Sequence, residues 1–344
     1  MAKKKRKTRG SVVKDLMLLF GALRRWAVEG IRDTIRSFPV LVERLRNLAA
    51  TNLHLGVFHL ARGSLGDAAY RFRLVNYLTK GDARAWYYLG ICRLCQDRDA
   101  EAAQAFEEAV RIDPAFTPAA FLRGVIQEPG RFEAVPEAVS KDFYDTIAED
   151  YETLFVKERG YDAPAQAFRA AEQFLPQGNM ATMLDLACGT GLAGEAFASR
   201  AHLVTGVDIS PRMLEIAAGK SLESGRKVYE ALHEASAAAF LTGATAGGYD
   251  VVTAIHALQL LRDLGTVFQH VAPALKPGGI FVFTVRAAQE GAPSPDVKGG
   301  WFAHGREAVE AAAQGAGFTR LHLEETMLME GELGMIGVFG KPAA

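Results

Sequence analysis

Asp185, Asp208 and His256 are the residues of this sequence best suited by type and surroundings to chemistry. Asp185 opens the string DLACGTGLAG, which ends at Gly194. GTGLAG is a literal G-x-G-x-x-G, the fingerprint of nicotinamide and flavin dinucleotides. Its glycines let backbone approach a ligand, and the helix that follows presents its positive N-terminus. Asp208 stands seventeen residues after Gly191, where an acid can hold both hydroxyls of a ribose. To this point a dinucleotide and a nucleoside cofactor fit equally. Asp185 separates them. It lies in an apolar run that reads as a buried strand, and a buried carboxylate is costly without a partner. A positively charged cofactor supplies one, whereas a pyrophosphate is repelled. Downstream, Pro211 suits the first turn of a helix, and Met213 offers a flat apolar contact for adenine.

Four stretches carry a family resemblance: Asp185–Gly191 (DLACGTG), Gly206–Ser210 (GVDIS), Tyr249–Val252 (YDVV) and Leu275–Gly279 (LKPGG). In that order and spacing they resemble class I S-adenosylmethionine-dependent methyltransferases. Tyr144–Glu152 (YDTIAEDYE) resembles the helix that precedes the fold in many of them and often covers the cofactor. The resemblance implies an α/β domain with a doubly wound, seven-stranded Rossmann-like sheet and S-adenosyl-L-methionine as cofactor. It implies that Asp185 faces the amino or sulfonium end, through water or backbone. Gly189 and Gly191 would line the amino-acid part, Asp208 would bind the ribose and Met213 would pack on adenine. Ala187, Ile209 and Ser236 complete the expected cofactor set, with Tyr144 reaching in from the preceding helix. Gly194 becomes a helix-packing residue. There are departures. Ala187 replaces a frequent glycine, which is acceptable because alanine is also small. Ser236 stands where an acid usually meets the adenine amine, with Glu234 nearby but off register. Arg286 follows the fifth strand where an acid is often found.

Methyl transfer from a sulfonium is an in-line displacement. It needs a desolvated nucleophile about 3 Å from the methyl group more than it needs a catalytic side chain. A base is required only when the nucleophile arrives protonated. His256, at the end of the fourth strand, is the candidate catalytic base; the alternative is a histidine that only hydrogen-bonds in the pocket wall. Trp301, Phe302 and His304 fall between the fifth and sixth strands, where a substrate loop belongs, and His304 is a second candidate base. Tyr144 and Tyr151 lie seven apart, on one helical face. No metal site is expected, and no H-E-x-x-H, phosphate loop or G-x-S-x-G elbow is present.

The positioning elements come in two blocks. From about residue 142, helical stretches alternate with short apolar ones, the signature of an α/β sheet with parallel strands. Strands are expected at Thr182–Ala187, Leu203–Val207, Lys227–Leu232, Asp250–Ile255, Ile280–Val285, near Leu321–Glu325, and at Met335–Phe339, with helices at Ala193–Ala201 and Pro211–Lys220. Before this block, Leu55-Gly56 and Leu89-Gly90 are 34 residues apart, as are Ala68 and Ala102, and Phe72 and Phe106. Thirty-four is the tetratricopeptide period. The second copy carries Trp86, Gly90, Ala102, Phe106, Ala109 and Pro114 in place. The first is degenerate, and a third starts at Thr117, keeps Gly124 and dissolves at Glu128-Pro129-Gly130. Two repeats and a closing helix are expected. The domains therefore read as a basic amphipathic helix (1–48), an all-α tetratricopeptide-like repeat region (49–130) and an α/β methyltransferase domain (131–344).

Charge is unevenly spread. Residues 1–50 hold thirteen Lys/Arg against four Asp/Glu in a chain whose net charge is −1. The run Leu16–Leu23 is too short to span a bilayer, which needs about 20 apolar residues. A basic amphipathic helix suits peripheral contact with an anionic membrane. Cys92, Cys95 and Cys188 make no disulfide framework, and a reducing, cytoplasmic location fits them. The leading reading is a methyltransferase with an unidentified acceptor (small molecule, lipid-like or protein) and a repeat module for a protein partner. Nucleic acid is not expected as a partner. The alternatives are a repeat-based scaffold with an inactive methyltransferase fold, and a nicotinamide-dependent oxidoreductase.

Overall fold

In the computed structural model the described residues are 47–128, 132–177, 181–244, 246–288, 296–298 and 301–343. The expected amphipathic membrane helix lies almost wholly outside them. Among the described residues no helix is long and apolar enough to cross a membrane.

The 34-residue spacing has a direct steric cause. Helices α1 (47–61) and α2 (Leu65–Thr79) form the first pair, and α3 (Ala83–Leu94) and α4 (Asp99–Ile112) the second. A Cβ on Gly56 would meet the Phe72 ring at 2.5 Å, and one on Gly90 would meet Phe106 at 2.5 Å. Each pair thus closes by seating a phenylalanine of its second helix on a bare glycine of its first. Ala68 and Ala102 are fully buried at equivalent points. Phe72 also stacks on Tyr88 of the next pair, with centroids 5.5 Å apart, so the two pairs share a core. Asp82 caps α3 by accepting the Ala85 N–H, and α4 ends two residues before Pro114.

Helix α5 (Thr117–Gln127) opens the third copy and is the closing helix. Its Gly124 would meet Phe132 at 2.7 Å, and Phe132 packs edge-on against Phe121. In place of a second helix, a short extended segment supplies the plugging phenylalanine eight residues after the glycine instead of sixteen. That segment is then tied to the sheet half: the Val135 N–H donates to the Leu260 carbonyl, and the Arg262 N–H to Glu133. Cys92 is buried, and burial, its largest influence, pushes its thiol up to about 12, the behaviour of a packed residue rather than a metal ligand. Among the described residues no group of side chains is arranged to hold a metal.

Helix α6 (Glu137–Ile147), followed by a 3-10 turn (Ala148–Asp150), a π-helical turn (Glu152–Lys157) and α7 (Ala163–Ala171), leads into the sheet. The parallel strands are β1 (Ala181–Leu186), β2 (Ala201–Asp208), β3 (Ala231–Glu234), β4 (Tyr249–Ala254) and β5 (Leu275–Ala287). They alternate with α8 (Leu192–Phe197), α9 (Pro211–Gly219), α10 (Ala237–Gly243) and α11 (Gly265–Ala274). A short ribbon follows, β6 (Asp296–Lys298) and β7 (Trp301–His304), then α12 (Arg306–Gly315) and the hairpin β8 (Thr319–Met329) and β9 (Glu332–Gly340). The sheet runs β3-β2-β1-β4-β5-β9-β8, with β9 antiparallel to β5 and β7 attached to the last residues of β5. The strand order reverses between β1 and β4, the place where ligands bind in open α/β sheets.

All seven expected strands are present, and three local readings need correction. Trp301–His304 is a strand, not a substrate loop. The third strand begins at Ala231, four residues later than expected, because Arg226 and Lys227 are drawn onto the carbonyls of Ala198 and Ala218 and Tyr229 turns inward. Helix α8 stops at Phe197, and β2 takes over from Ala201.

Substituting Gly90 by Val should cost about 1–3 kcal/mol through overpacking against Phe106. Urea unfolding followed by circular dichroism would read this as a lower midpoint with little change in slope.

Candidate active site

Asp185 ends deep in β1, with 1% of its surface exposed. Its carboxylate is satisfied from within the protein: Tyr229 donates its hydroxyl to Oδ2 at 2.7 Å and Thr253 donates to Oδ1 at 2.7 Å. Burial raises its pKa to about 6, even though these two hydroxyls and the Gly194 backbone pull it down. The premise that this carboxylate lacks a partner unless a cationic ligand supplies one is therefore corrected.

Tyr229 went unrecognised in the sequence, although the glycine motif is built around it. A Cβ on Gly191 would meet its ring at 2.9 Å, one on Gly194 at 2.5 Å and one on Gly206 at 2.8 Å. Gly194 is a packing residue, as expected. Gly191 works in part for Tyr229 as well, and its φ of +92° suits glycine. Gly189 differs. It has φ +53° and open space where a Cβ would point.

Asp208, at the end of β2, accepts the Gly189 N–H on Oδ2 and the Ser210 N–H on Oδ1, each at 2.8 Å. Burial pushes its pKa up, opposed by these backbone donors. It thus holds the loop in place and also faces open space. Ser210 caps α9 through the Met213 N–H and donates its own hydroxyl to Asp145 of α6 at 2.6 Å. Lys141, one turn earlier, donates to the Ile209 carbonyl and pairs with Glu234 at 2.7 Å, which takes Glu234 out of contention as an adenine partner. In this way α6 is fastened over the carboxyl ends of β2 and β3.

Three cavities meet under that helix. The smallest, about 60 Å³, is lined by Asp185, Ala187, Gly189, Asp208, Met213 and His256, among others, with Tyr144 and Tyr151 over them. None of its lining residues is a Lys or Arg. Thr190 adds a buried hydroxyl with no hydrogen-bond partner among the described residues. The second, about 370 Å³, continues past Ala187, Asp208, Ile209 and Ser236 between Ala235 and Leu258. Ser236 caps α10 by accepting the Ala239 N–H. Met213 belongs to the first cavity and Ser236 to the second, so the two residues expected near adenine do not share one wall. The third cavity, about 250 Å³, lies on the far side of Tyr144 and His256. Tyr144 lines all three, and His256 the first and third.

Ala187 and His256 follow β1 and β4, and both have φ of +56°. A non-glycine residue is strained there by roughly 1–2 kcal/mol. The glycine usual at position 187 is therefore a matter of backbone hand rather than side-chain size. His256 is held by its neighbours. Its N–H donates to Thr284 Oγ1 at 2.7 Å, its carbonyl accepts from Gln259, and its Nε2 lies 2.9 Å from Glu332 Oε1. Burial would raise the Glu332 pKa. The hydrogen bond from His256, with the Arg286 and Arg159 guanidiniums, more than offsets it and brings it below the usual value. An ionised Glu332 can only accept, so Nε2 carries the hydrogen, and a neutral ring then has its lone pair on Nδ1. Nδ1 is buried and has no hydrogen-bond partner among the described residues. Glu332, at the start of β9, was not anticipated; an acid 76 residues from its histidine leaves no local signal.

His304 is no base for this site. It is 1% exposed, lines a separate pocket with Asp263, and burial takes its pKa down to about 4.

Residues 184–281 match the methyltransferase domain family, and residues 83–116 match the tetratricopeptide repeat. A ubiquinone biosynthesis O-methyltransferase of Idiomarina loihiensis is 37% identical over 102 residues, 30% of this chain and 41% of that protein. One from Xanthomonas campestris is 29% identical over 161 residues, 44% of this chain and 65% of that protein. The matched stretch thus covers less than two thirds of each relative. Among solved structures, the [4+2]-cyclase SpnF superposes with a TM-score of 0.51 at 18% identity, covering 62% of this chain and 98% of that one. That likeness establishes a shared fold.

Because burial lifts the folded-state pKa of Asp185 above the usual carboxylate range, to about 6, its charge costs stability above about pH 6, and the cost fades as pH falls below that. Tyr229→Phe should deepen it, lowering stability by about 1.5–3 kcal/mol at pH 8 and less at pH 5. Equal losses in urea at both pH values would dissociate Tyr229 from the Asp185 charge.

Proposed function

We propose that this chain, whose residues 184–281 match the methyltransferase domain family, transfers a methyl group from S-adenosylmethionine to a hydroxyl oxygen of its acceptor. The observation that carries this reading is the placement of His256. Its unpartnered Nδ1 is buried in a residue that lines both the carboxylate-lined cavity and the third one.

The residues present fit the cofactor. Asp185 and Asp208, with no lysine or arginine beside them in the small cavity, suit a ligand whose amino acid and sulfonium carry positive charge. The same pair disfavours a pyrophosphate. Gly189 leaves space for the amino-acid portion, and Thr190 offers an unused hydroxyl. Asp208 borders both cofactor cavities, the position for ribose, and Ile209, Ala235 and Ser236 flank the larger one, the position for adenine. When bound, the cofactor supplies an electrophilic methyl group. The chain's own residues then have three tasks. Tyr144 and Tyr151 exclude water above the site. Glu332 fixes the His256 tautomer and ring. His256 Nδ1 takes the proton of the acceptor hydroxyl as the oxygen is methylated. The relatives named O-methyltransferases are consistent with an oxygen acceptor.

Isothermal titration with S-adenosylhomocysteine tests the cofactor assignment, and absence of binding would end it. Asp208→Ala should weaken binding by about 2 kcal/mol. If Asp185 faces the cationic end, affinity should fall roughly tenfold per pH unit below about pH 6, as the carboxylate protonates. Asp185→Asn should flatten that dependence. Methyl-labelled cofactor incubated with fractionated cell extract would then identify the acceptor. With that acceptor, His256→Asn should lower kcat by about 10²–10⁴-fold while leaving S-adenosylhomocysteine affinity within about twofold. An unchanged kcat would reduce His256 to a wall residue.

A further inference from the structure

The groove side of the repeat array faces the sheet half, and the chain's own α6 segment already lies in it. His54 of α1 reaches Asp150 at 3.1 Å, and Tyr88 of α3 donates its hydroxyl to Asp142 at 3.1 Å. Positions 54 and 88 are one repeat apart. Equivalent points of two successive repeats therefore grip two acids, eight residues apart, on one helical segment. Arg84 adds a hydrogen bond to Thr146 and an ion pair with Asp142, and Arg62 pairs with Glu158. This is how a repeat groove would hold a peptide, and here it holds a segment of the same chain.

The grip leaves one hollow, the third cavity. Leu60, Ile91 and Phe121 close it from α1, α3 and α5, and Phe143 and Trp301 from the other side. At one end its lining turns polar, with His256, Gln259, Glu332, Arg286 and Arg159. At about 250 Å³ it lies below the ~300–1,000 Å³ usual for drug-sized ligands.

We propose that the repeat helices form the inner wall of the acceptor site, and that the acceptor is a compact apolar molecule, its hydroxyl at His256 and its body between α1, α3 and α5. The inference rests on the methyl-transfer reading and goes beyond it. It replaces the expected role of the repeats, capture of a protein partner, with substrate enclosure. The hollow as it stands has the size for a small apolar molecule. Ile91, on the repeat side of the hollow, is the specificity-determining position this assigns.

The test uses the full chain saturated with S-adenosylhomocysteine and 2-naphthol as the probe, followed by its fluorescence. The wild type should bind 2-naphthol. Ile91→Trp, which fills the hollow from the repeat side, should weaken that binding at least tenfold. It should also reduce labelling of small-molecule fractions in extract by a similar factor. Its S-adenosylhomocysteine affinity should stay within twofold, which also shows that it folds. Leu60→Phe, a milder change from a different helix, should weaken the probe in the same direction. Tyr77→Ala, at a residue of α2 that is 82% exposed, should change nothing. No 2-naphthol binding by the wild type, binding indifferent to Ile91→Trp, or label found in intact proteins overturns the proposal. Loss of S-adenosylhomocysteine binding by the wild type would instead overturn the reading beneath it.

Discussion

The carboxylate of Asp185 is the constraint around which the sheet half is arranged. An ionised group at 1% exposure is tolerated only if its hydrogen-bonding capacity is filled. The protein fills it with two hydroxyls, from Thr253 on the neighbouring strand and from Tyr229. Bringing a tyrosine ring that far in requires room, and Gly191, Gly194 and Gly206 provide it from the loop, the helix and β2. The delayed start of β3 follows from the same demand. So does the division of labour among the glycines: one leaves open space and the others leave space for the residue that makes the carboxylate possible.

A second constraint links the two halves. Helix α6 must stay over the carboxyl ends of the strands, since Lys141, Asp145 and Tyr144 meet the cofactor loop and cavities from there. Of its inward contacts, the Lys141–Glu234 ion pair is exposed and worth little by itself. The repeats hold its outer side. Tyr88 is fully buried and donates to the partly exposed Asp142, so that contact is sheltered on the repeat side. An array that elsewhere offers a surface to others becomes, in this chain, part of the housing of the proposed site.

What could be read in the sequence was what repeats or what recurs in fixed order. The 34-residue period marked Gly56 and Gly90, and Phe72 and Phe106, as equivalent positions of two repeats; that each phenylalanine seats on the glycine of its own repeat came only with the structure. The alternation of apolar and helical runs gave all seven principal strands. Illegible were the contacts that only tertiary folding creates. Tyr229 meets Asp185 across 44 residues and Glu332 meets His256 across 76, with nothing local to pair them. Phe132 sits where the repeat pattern had dissolved, so its plugging role was hidden by a changed spacing. Ala187 was misjudged for a different reason. Its size was visible, but the hand of its backbone was not.

Ala187 and His256 also bear on how such a site could work. Both occupy the left-handed region, at the ends of the two strands that flank the switch in strand order. Strain of this kind persists only where neighbours over-determine the conformation. For His256 they do: Thr284, Gln259 and Glu332 fix its N–H, its carbonyl and its ring. A displacement at a methyl group gains most from alignment of the attacking atom, and little from acid or base strength alone. Rigid placement of the imidazole at the junction of two cavities is therefore worth more than its basicity. The same logic favours an enclosed acceptor. A molecule gripped along its whole apolar length has its hydroxyl placed by the walls, and the walls on one side are repeat helices.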